Sequence, residues 1–250
     1  MRIRWLGWAG VEIEEAGEWV LVDPLADARA VFAPLGEQAN GMRAPDVVAP
    51  RSGAVAAMVT HLHRDHADAA ALSSALAHGA AVHEPRGYGG SGIEQLGIAQ
   101  ADAELDASGV RRSPLSAWTS ASVGAFRLTA IPAVDGTGDP QVSWLIEAGN
   151  RRVLHLGDTM FHGWWWRIAE RFGAPDVVLA PINGARLTFP HRRPASPLPG
   201  AMDPEQAALA AQLLRAEQLV PMHYGGYELP GIYDPVPDAL ERVNAASDRV

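Results

Sequence analysis

Polar and apolar positions alternate over Arg2–Trp5 and again over Val11–Glu14, and an apolar run, Glu18–Val22, follows the Ala16-Gly17 turn. Three short antiparallel strands are predicted there, the last ended by Asp23-Pro24. From Ala26 to Arg51 the chain carries Pro and Gly and no clear period, so a loop is expected. Ala54–Val59 is then continuously apolar, the pattern of a strand buried on both faces. It opens into Thr60-His-Leu-His-Arg-Asp-His66, and an alanine-rich helix is predicted over Asp68–His78. Further strand signals fall at Ala80–His83, Phe126–Ile131, Val142–Glu147, Arg152–Leu156 and Val177–Ala180. A helix begins at Asp203-Pro204-Glu205-Gln206, with an acidic N-cap, Pro at the first helical position and Gln two residues on. It is expected to reach about Ala216 and to lead into Leu219–His223. The proline-rich stretch Phe189–Gly200 reads as a long ordered loop, suited equally to a functional role or to surface linkage.

Composition narrows this picture. A chain of 250 residues with 48% hydrophobic and 20% charged residues fits one large mixed α/β domain over residues 1–250. The net charge of −9 disfavours nucleic acid as partner, since phosphate binding rests on Lys and Arg clusters. The dense arginines, Arg111-Arg112, Arg151-Arg152 and Arg192-Arg193, read as solvated turns. There is no cysteine, so a metal would have to be held by His, Asp or Glu. No apolar stretch is long enough to span a membrane, and the N-terminal residues lack the apolar core of a signal peptide. The default location is the cytoplasm.

Four potential ligands fall within six residues: His61, His63, Asp65 and His66, in a chain with nine histidines. They sit where a buried strand has ended and a helix has not begun. In an extended segment, residues two apart project to one side, so His61 and His63 can chelate one ion. Asp65 and His66, entering the helical turn, point elsewhere and suit a second ion.

This motif, its place after Ala54–Val59, and the opening Trp5-Leu-Gly-Trp-Ala-Gly10 resemble the metallo-β-lactamase superfamily. The likeness is strongest to the branch of L-ascorbate-6-phosphate lactonase and N-acylphosphatidylethanolamine-hydrolysing phospholipase D. Gly157-Asp158-Thr159, Pro181-Ile-Asn-Gly184, Met202-Asp-Pro-Glu-Gln-Ala207 and Pro221-Met-His-Tyr224 continue the family pattern in order. The resemblance implies a four-layer αββα sandwich. It implies His61 and His63 on a first metal ion, Asp65, His66 and His223 on a second, and Asp158 bridging the two. Zinc is the first expectation, with manganese or iron compatible. Asp23 would act as an outer acceptor orienting a metal-bound histidine, although Asp23-Pro24 is equally a turn. The resemblance also favours a homo-oligomer.

One station departs from the family. A third histidine of the first metal is expected after a Val-Pro-Ala-like strand end, and here the chain reads Ile131-Pro-Ala-Val-Asp135-Gly136. Asp135 is the first candidate, giving an oxygen-richer site more tolerant of manganese or iron. His191 from the proline-rich loop is the second, and an empty first site the third. His162, four residues past Asp158, is a pocket candidate, whereas His155 reads as a core histidine and His78 and His83 as structural or surface residues. Trp164-Trp165-Trp166 is expected to pack a helix on the sheet. Gly87–Gly92 lacks the ending of a nucleotide-binding loop and reads as a turn.

The expected function is a metal-dependent hydrolase, with a metal-bound hydroxide cleaving an ester, lactone or phosphodiester bond of a small-molecule substrate. Asp65 is a candidate to accept a proton from the water or to position it. The alternative is a metal-binding member with a sensing or scaffolding role. A nuclease is disfavoured by the acidic charge, and oxygen reduction by the lack of a flavin-binding domain.

Overall fold

Alternation and buried runs become two six-stranded sheets. A computed structural model of the chain describes residues 1–32, 44–86, 92–137 and 140–248. The first sheet runs in chain order: β1 (Arg2–Gly7), β2 (Gly10–Glu15), β3 (Glu18–Val22), β4 (Ala54–Met58), β5 (Leu76–Pro85) and β6 (Arg111–Leu115). Its first three strands are an antiparallel meander, and β3 through β6 are parallel. The second sheet is built from β7 (Ser120–Val123), β8 (Phe126–Pro132), β9 (Val142–Ala148), β10 (Arg151–His155), β11 (Val177–Pro181) and β13 (Gln218–Met222), in the order β13-β11-β10-β9-β8-β7. A small ladder pairs β12 (Arg186–Leu187) with β14 (Tyr233–Asp234).

The helices are α1 (Ala28–Phe32), α2 (Ala69–Ala75), α3 (Gly92–Ser108), α4 (Trp165–Phe172), α5 (Pro204–Leu214) and α6 (Ala239–Ser247). Three apolar clusters define the layers. Val11, Ile13, Val20, Met58, Leu128, Trp144 and Ile146 fill the space between the sheets. Leu72 of α2 and Ala101 and Leu105 of α3 cover the outer face of the first sheet, against Leu21, Ala57 and Val82. Trp165 and Ile168 of α4, Ala207 and Leu214 of α5 and Val243 of α6 cover the second, against Leu154, Val178 and Ala180. The result is an αββα sandwich.

Several expectations change in detail. The helix over Asp68–His78 stops at Ala75, and Leu76 is already extended. Pairing of β5 with β4 and β6 takes over residues whose alanines favour helix, so tertiary pairing overrides local propensity. The loop Ala26–Arg51 contains α1, whose first turn is capped by Asp27 Oδ1 accepting from Arg29 N at 2.9 Å. Arg111-Arg112 and Arg151-Arg152 lie on strands, not in turns: Arg112 bonds Glu84, Asp102 and Asp106, and Arg151 bonds Asp176. In the tryptophan run only Trp165 is fully buried; Trp166 is 59% exposed. The helix at Asp203 has the capping box its sequence announced. The run at 87–91 lies outside the described residues.

Trp144 joins the two sheets: its ring is wholly buried in the central core and its indole N–H donates to Val59 O at 2.9 Å. Trp144→Ala is expected to cost about 3–5 kcal/mol by cavity formation. Trp144→Phe should cost about 1–3 kcal/mol through the unsatisfied carbonyl. Urea unfolding of both variants checks this, and a Phe variant as unstable as the Ala variant would contradict it.

Candidate metal centre

Strands of both sheets end at one edge, and the segments leaving them converge. Asp23 follows β3, His61 to His66 follow β4, Asp135 follows β8, Asp158 follows β10 and His223 follows β13. Three groups of donors result, each with ligand atoms within 4.8 Å of one another: His61, His63 and Asp135; Asp65, His66 and His223; and His61, His66 and Asp158. Asp158 thus falls beside a histidine from each of the other two groups.

Hydrogen bonds orient these side chains from behind. Asp23 is fully buried; its Oδ1 accepts from Thr60 N at 2.8 Å and its Oδ2 from Thr60 Oγ1 at 2.7 Å. The same Oδ2 accepts from His66 Nδ1 at 2.7 Å, leaving His66 Nε2 to face the cluster. Because the Thr60 hydroxyl donates to Asp23, it can accept from His61 Nδ1 at 3.1 Å, which turns His61 Nε2 inward too. A second relay serves His63: Thr137 Oγ1 donates to Asp135 Oδ1 at 2.5 Å and accepts from His63 Nε2 at 3.2 Å. These tautomers are assigned from the network.

Trp8 closes the other side. Its indole N–H donates to Asp65 Oδ2 at 2.9 Å, its ring lies on His223 with centroids 3.9 Å apart, and its carbonyl accepts from His223 N at 3.0 Å. His155 spans the sheets, donating from Nε2 to Ala9 O at 2.8 Å and accepting from Gly157 N at 3.2 Å. Gly157 has φ +68, and a Cβ there would meet Gln141 Nε2 at 2.8 Å and Thr60 Cβ at 3.0 Å, so only glycine lets Asp158 approach.

The donor set fits divalent ions. Asp135 Oδ2 and Asp158 Oδ1 are buried without a hydrogen-bond partner, and Asp135 Oδ2 lies 3.7 Å from His61 Nε2 and 3.8 Å from His63 Nδ1. His66 Nε2 and His223 Nε2 are 3.2 Å apart. Two donors bound at 2.0–2.1 Å to a tetrahedral ion are separated by roughly 3.3 Å. Electrostatics point the same way. Burial, helped by Asp135, pushes Asp158 up to about 6. Burial pushes His61 down to about 3, helped by His66 and His63. Burial opposes charge on Asp135 as well, but His63, His61 and Thr137 outweigh it and hold its carboxyl below the usual range. Buried carboxylates crowded together are what a cation relieves.

The expected residues therefore divide. His61, His63, Asp65, His66, Asp135, Asp158 and His223 come together, with Asp23 behind them. His191 does not join: it is exposed, stacks on Phe189 at 5.6 Å and lies along the cavity wall. His162 is absent from the cavity lining, because its ring lies flat on Trp165 at 3.8 Å and its Nδ1 accepts from Trp164 N. His155 is the core histidine expected. Thr60, Thr137 and Trp8 went unrecognised as positioning groups; Gly7-Trp8-Ala9-Gly10, a turn between two alternating strands, was the one signal for Trp8.

Two facing sheets, helices outside and a His/Asp cluster at the strand ends make this an αββα sandwich of the metallo-β-lactamase type. The chain belongs to the beta-lactamase superfamily domain family, which matches residues 18–224. It is 29% identical over 233 residues to a UPF0173 metal-dependent hydrolase of Methanopyrus kandleri, covering 91% of this chain and 85% of that protein. It resembles the metallo hydrolase Igni18 of Ignicoccus hospitalis, with a TM-score of 0.62, 21% identity, and coverage of 98% of this chain and 90% of that one. It also resembles CmlA, a diiron beta-hydroxylase from Streptomyces venezuelae, with a TM-score of 0.65, 19% identity, and coverage of 89% of this chain and 44% of that one. A hydrolase and a hydroxylase on one architecture show that these likenesses carry the fold and not the reaction.

Removing the Asp23 carboxylate tests the orienting network in metal-free protein. Burial opposes its charge, but His66, by Coulomb attraction and its hydrogen bond, holds the Asp23 pKa low; Asp65 and Asp23 in turn raise that of His66 against burial. Asp23→Asn is expected to cost about 3–5 kcal/mol near pH 6 by breaking a buried charge pair. The lowered acid contributes stability above its unfolded pKa of about 3.9, lost as pH falls through the folded value. The raised base contributes below about 6.5, lost as pH rises through its folded value. Urea midpoints of the two proteins should differ most between about pH 4 and 6.5; a pH-independent difference would contradict the pairing.

Proposed function

We propose that this chain is a metal-dependent hydrolase acting on an ester, lactone or phosphodiester bond of a small molecule. The observation that carries the reading is the pair of buried, unpartnered carboxylate oxygens on Asp135 and Asp158, set among inward-facing histidine nitrogens at the floor of a cavity of about 360 Å³. His61, His63 and Asp135 would hold one divalent ion and Asp65, His66 and His223 a second, with Asp158 between them; zinc is the first choice and manganese or iron fit the extra carboxylate. Divalent ions held there would supply a water activated near neutral pH and polarisation of the scissile carbonyl or phosphoryl oxygen.

The chain's own groups do the rest. Asp23 and Thr60 hold His66 and His61 in the tautomers that present Nε2. Thr137 does the same for Nδ1 of His63. Asp65, fixed through Oδ2 by Trp8, is placed at the cavity floor to position a water or take its proton. Among the described residues no helix is long and apolar enough to cross a membrane. The motifs resemble those of the lactonase and phospholipase branch, and we propose a cytoplasmic homo-oligomer.

Elemental analysis of protein purified without added metal, beside Asp135→Ala, tests the ligand set. Two ions per chain are expected, falling to one in the variant, with turnover of a chromogenic ester abolished by chelation and restored by added metal. One ion in both proteins would remove Asp135 from the ligands. Metal without turnover on esters, lactones and phosphodiesters would favour the sensing or scaffolding alternative.

A further inference from the structure

The cavity above the cluster has two chemically distinct parts. Its floor is ionic, formed by Asp65, Asp135, Asp158, His63 and His223. Its walls are largely apolar, with Val31 and Phe32 from α1, Leu187 and Phe189 from β12 and the loop after it, and Tyr227, although Gln100 and His191 also reach them. Phe32 stacks on Tyr227 with centroids 5.0 Å apart, which makes that wall a continuous aromatic surface.

The polar side chains that reach the walls are already engaged. Arg64 pairs with Glu104 at 3.3 Å, and Arg192 donates to Gly136 O at 2.8 Å. Tyr233 OH accepts from Asn183 Nδ2 at 2.5 Å. The chain contains no lysine. A sugar phosphate or a phosphodiester carries its charge beyond the bond that is cut and needs arginine or lysine contacts of its own. Of the described wall's two arginines, Arg64 is ion-paired and Arg192 is bonded to a backbone carbonyl.

We infer that the substrate is an uncharged carboxylic ester or lactone bearing an aryl or short aliphatic group, which lies against Phe32, Leu187, Phe189 and Tyr227. This rests on the hydrolytic reading above and narrows it. In the reaction the oxygen of water bonds to the carbonyl carbon and the bond from that carbon to the alcohol oxygen breaks, its electron pair staying on that oxygen. One proton of the water ends on the alcohol, and the other is released as the acid ionises. The cavity is near the small end of ligand sites, which limits the apolar group to one ring or a short chain.

The test uses zinc-loaded protein with p-nitrophenyl acetate, butyrate and hexanoate, and with bis(p-nitrophenyl) phosphate. Each methylene buried against the wall is expected to raise kcat/KM about two- to fourfold. The phosphodiester should be turned over at least tenfold more slowly than the hexanoate. Phe189→Ala and Leu187→Ala should flatten the chain-length series while metal content stays that of the wild type. Hexanophenone, a neutral ketone that cannot be hydrolysed, should raise the melting temperature of the wild type and not of Phe189→Ala. A flat series or a preferred phosphodiester, both abolished by chelation, would overturn the substrate class and leave the hydrolase standing. Turnover indifferent to chelation would overturn the metal-dependent reading instead. With no turnover at all, failure of hexanophenone to bind overturns the inference, and binding lost with Phe189 supports the apolar site.

Discussion

A carboxylate removed from water is costly unless its lone pairs are filled, and Asp23, fully buried beyond β3, fills them with Thr60 N, Thr60 Oγ1 and His66 Nδ1. Those bonds tie the end of β3 to the end of β4 and decide which nitrogen of His66, and through Thr60 which nitrogen of His61, faces the cavity. One buried anion therefore sets the pose of two of the four histidines. In the metal-free protein it also shares with Asp65 the counter-charge to a buried His66.

The same region stores backbone strain. Trp8, Asp23 and His223 all have positive φ, at 50°, 45° and 55°, a conformation costly for residues other than glycine. Each is held by contacts that over-determine it: Trp8 by the hairpin and by His223 N, Asp23 by its three acceptor bonds, and His223 by the indole ring of Trp8. The sheets make this sustainable. β3, β4, β10, β11 and β13 present their ends together, so the strained residues rest on paired strands. Open α/β sheets likewise place ligands beyond the carboxyl ends of their strands.

Much of this was legible in sequence because local signals agreed with the tertiary outcome. Ala54–Val59 has no polar position to spare, so a strand buried on both faces was the one arrangement that suited it. His61, His63, Asp65 and His66 follow it directly, and Asp203-Pro204-Gln206 carries its own cap. What was illegible depends on distant partners. That Leu76 leaves the helix follows from strand pairing that no local pattern encodes. Thr60 escaped notice because a threonine beside a histidine is ordinary in sequence and acquires meaning only when the carboxylate that accepts its proton is placed, from 37 residues away. Thr137 sits two residues from its acceptor Asp135 but gains its role only when His63 arrives, from 74 residues away. Trp8 shows the same limit, since its partner Asp65 is 57 residues on.

Asp135 is where local chemistry and substrate class meet. On the proposed ligand set, three carboxylates face two divalent ions and leave a single positive charge before any water is bound. A histidine at that position would leave two, and a centre with two surplus charges on a cavity floor attracts anions strongly. Exchanging imidazole for carboxylate removes much of that attraction just where the cavity also lacks an unengaged arginine among its described residues. Thr137 then has a second consequence: behind the attraction of His63 and His61, its donation to Asp135 Oδ1 helps hold that carboxyl below its usual range against burial. A floor closer to neutral, set under walls of Phe32, Phe189 and Tyr227, favours a neutral substrate by apolar burial over an anionic one by charge, and the two features reinforce each other physically.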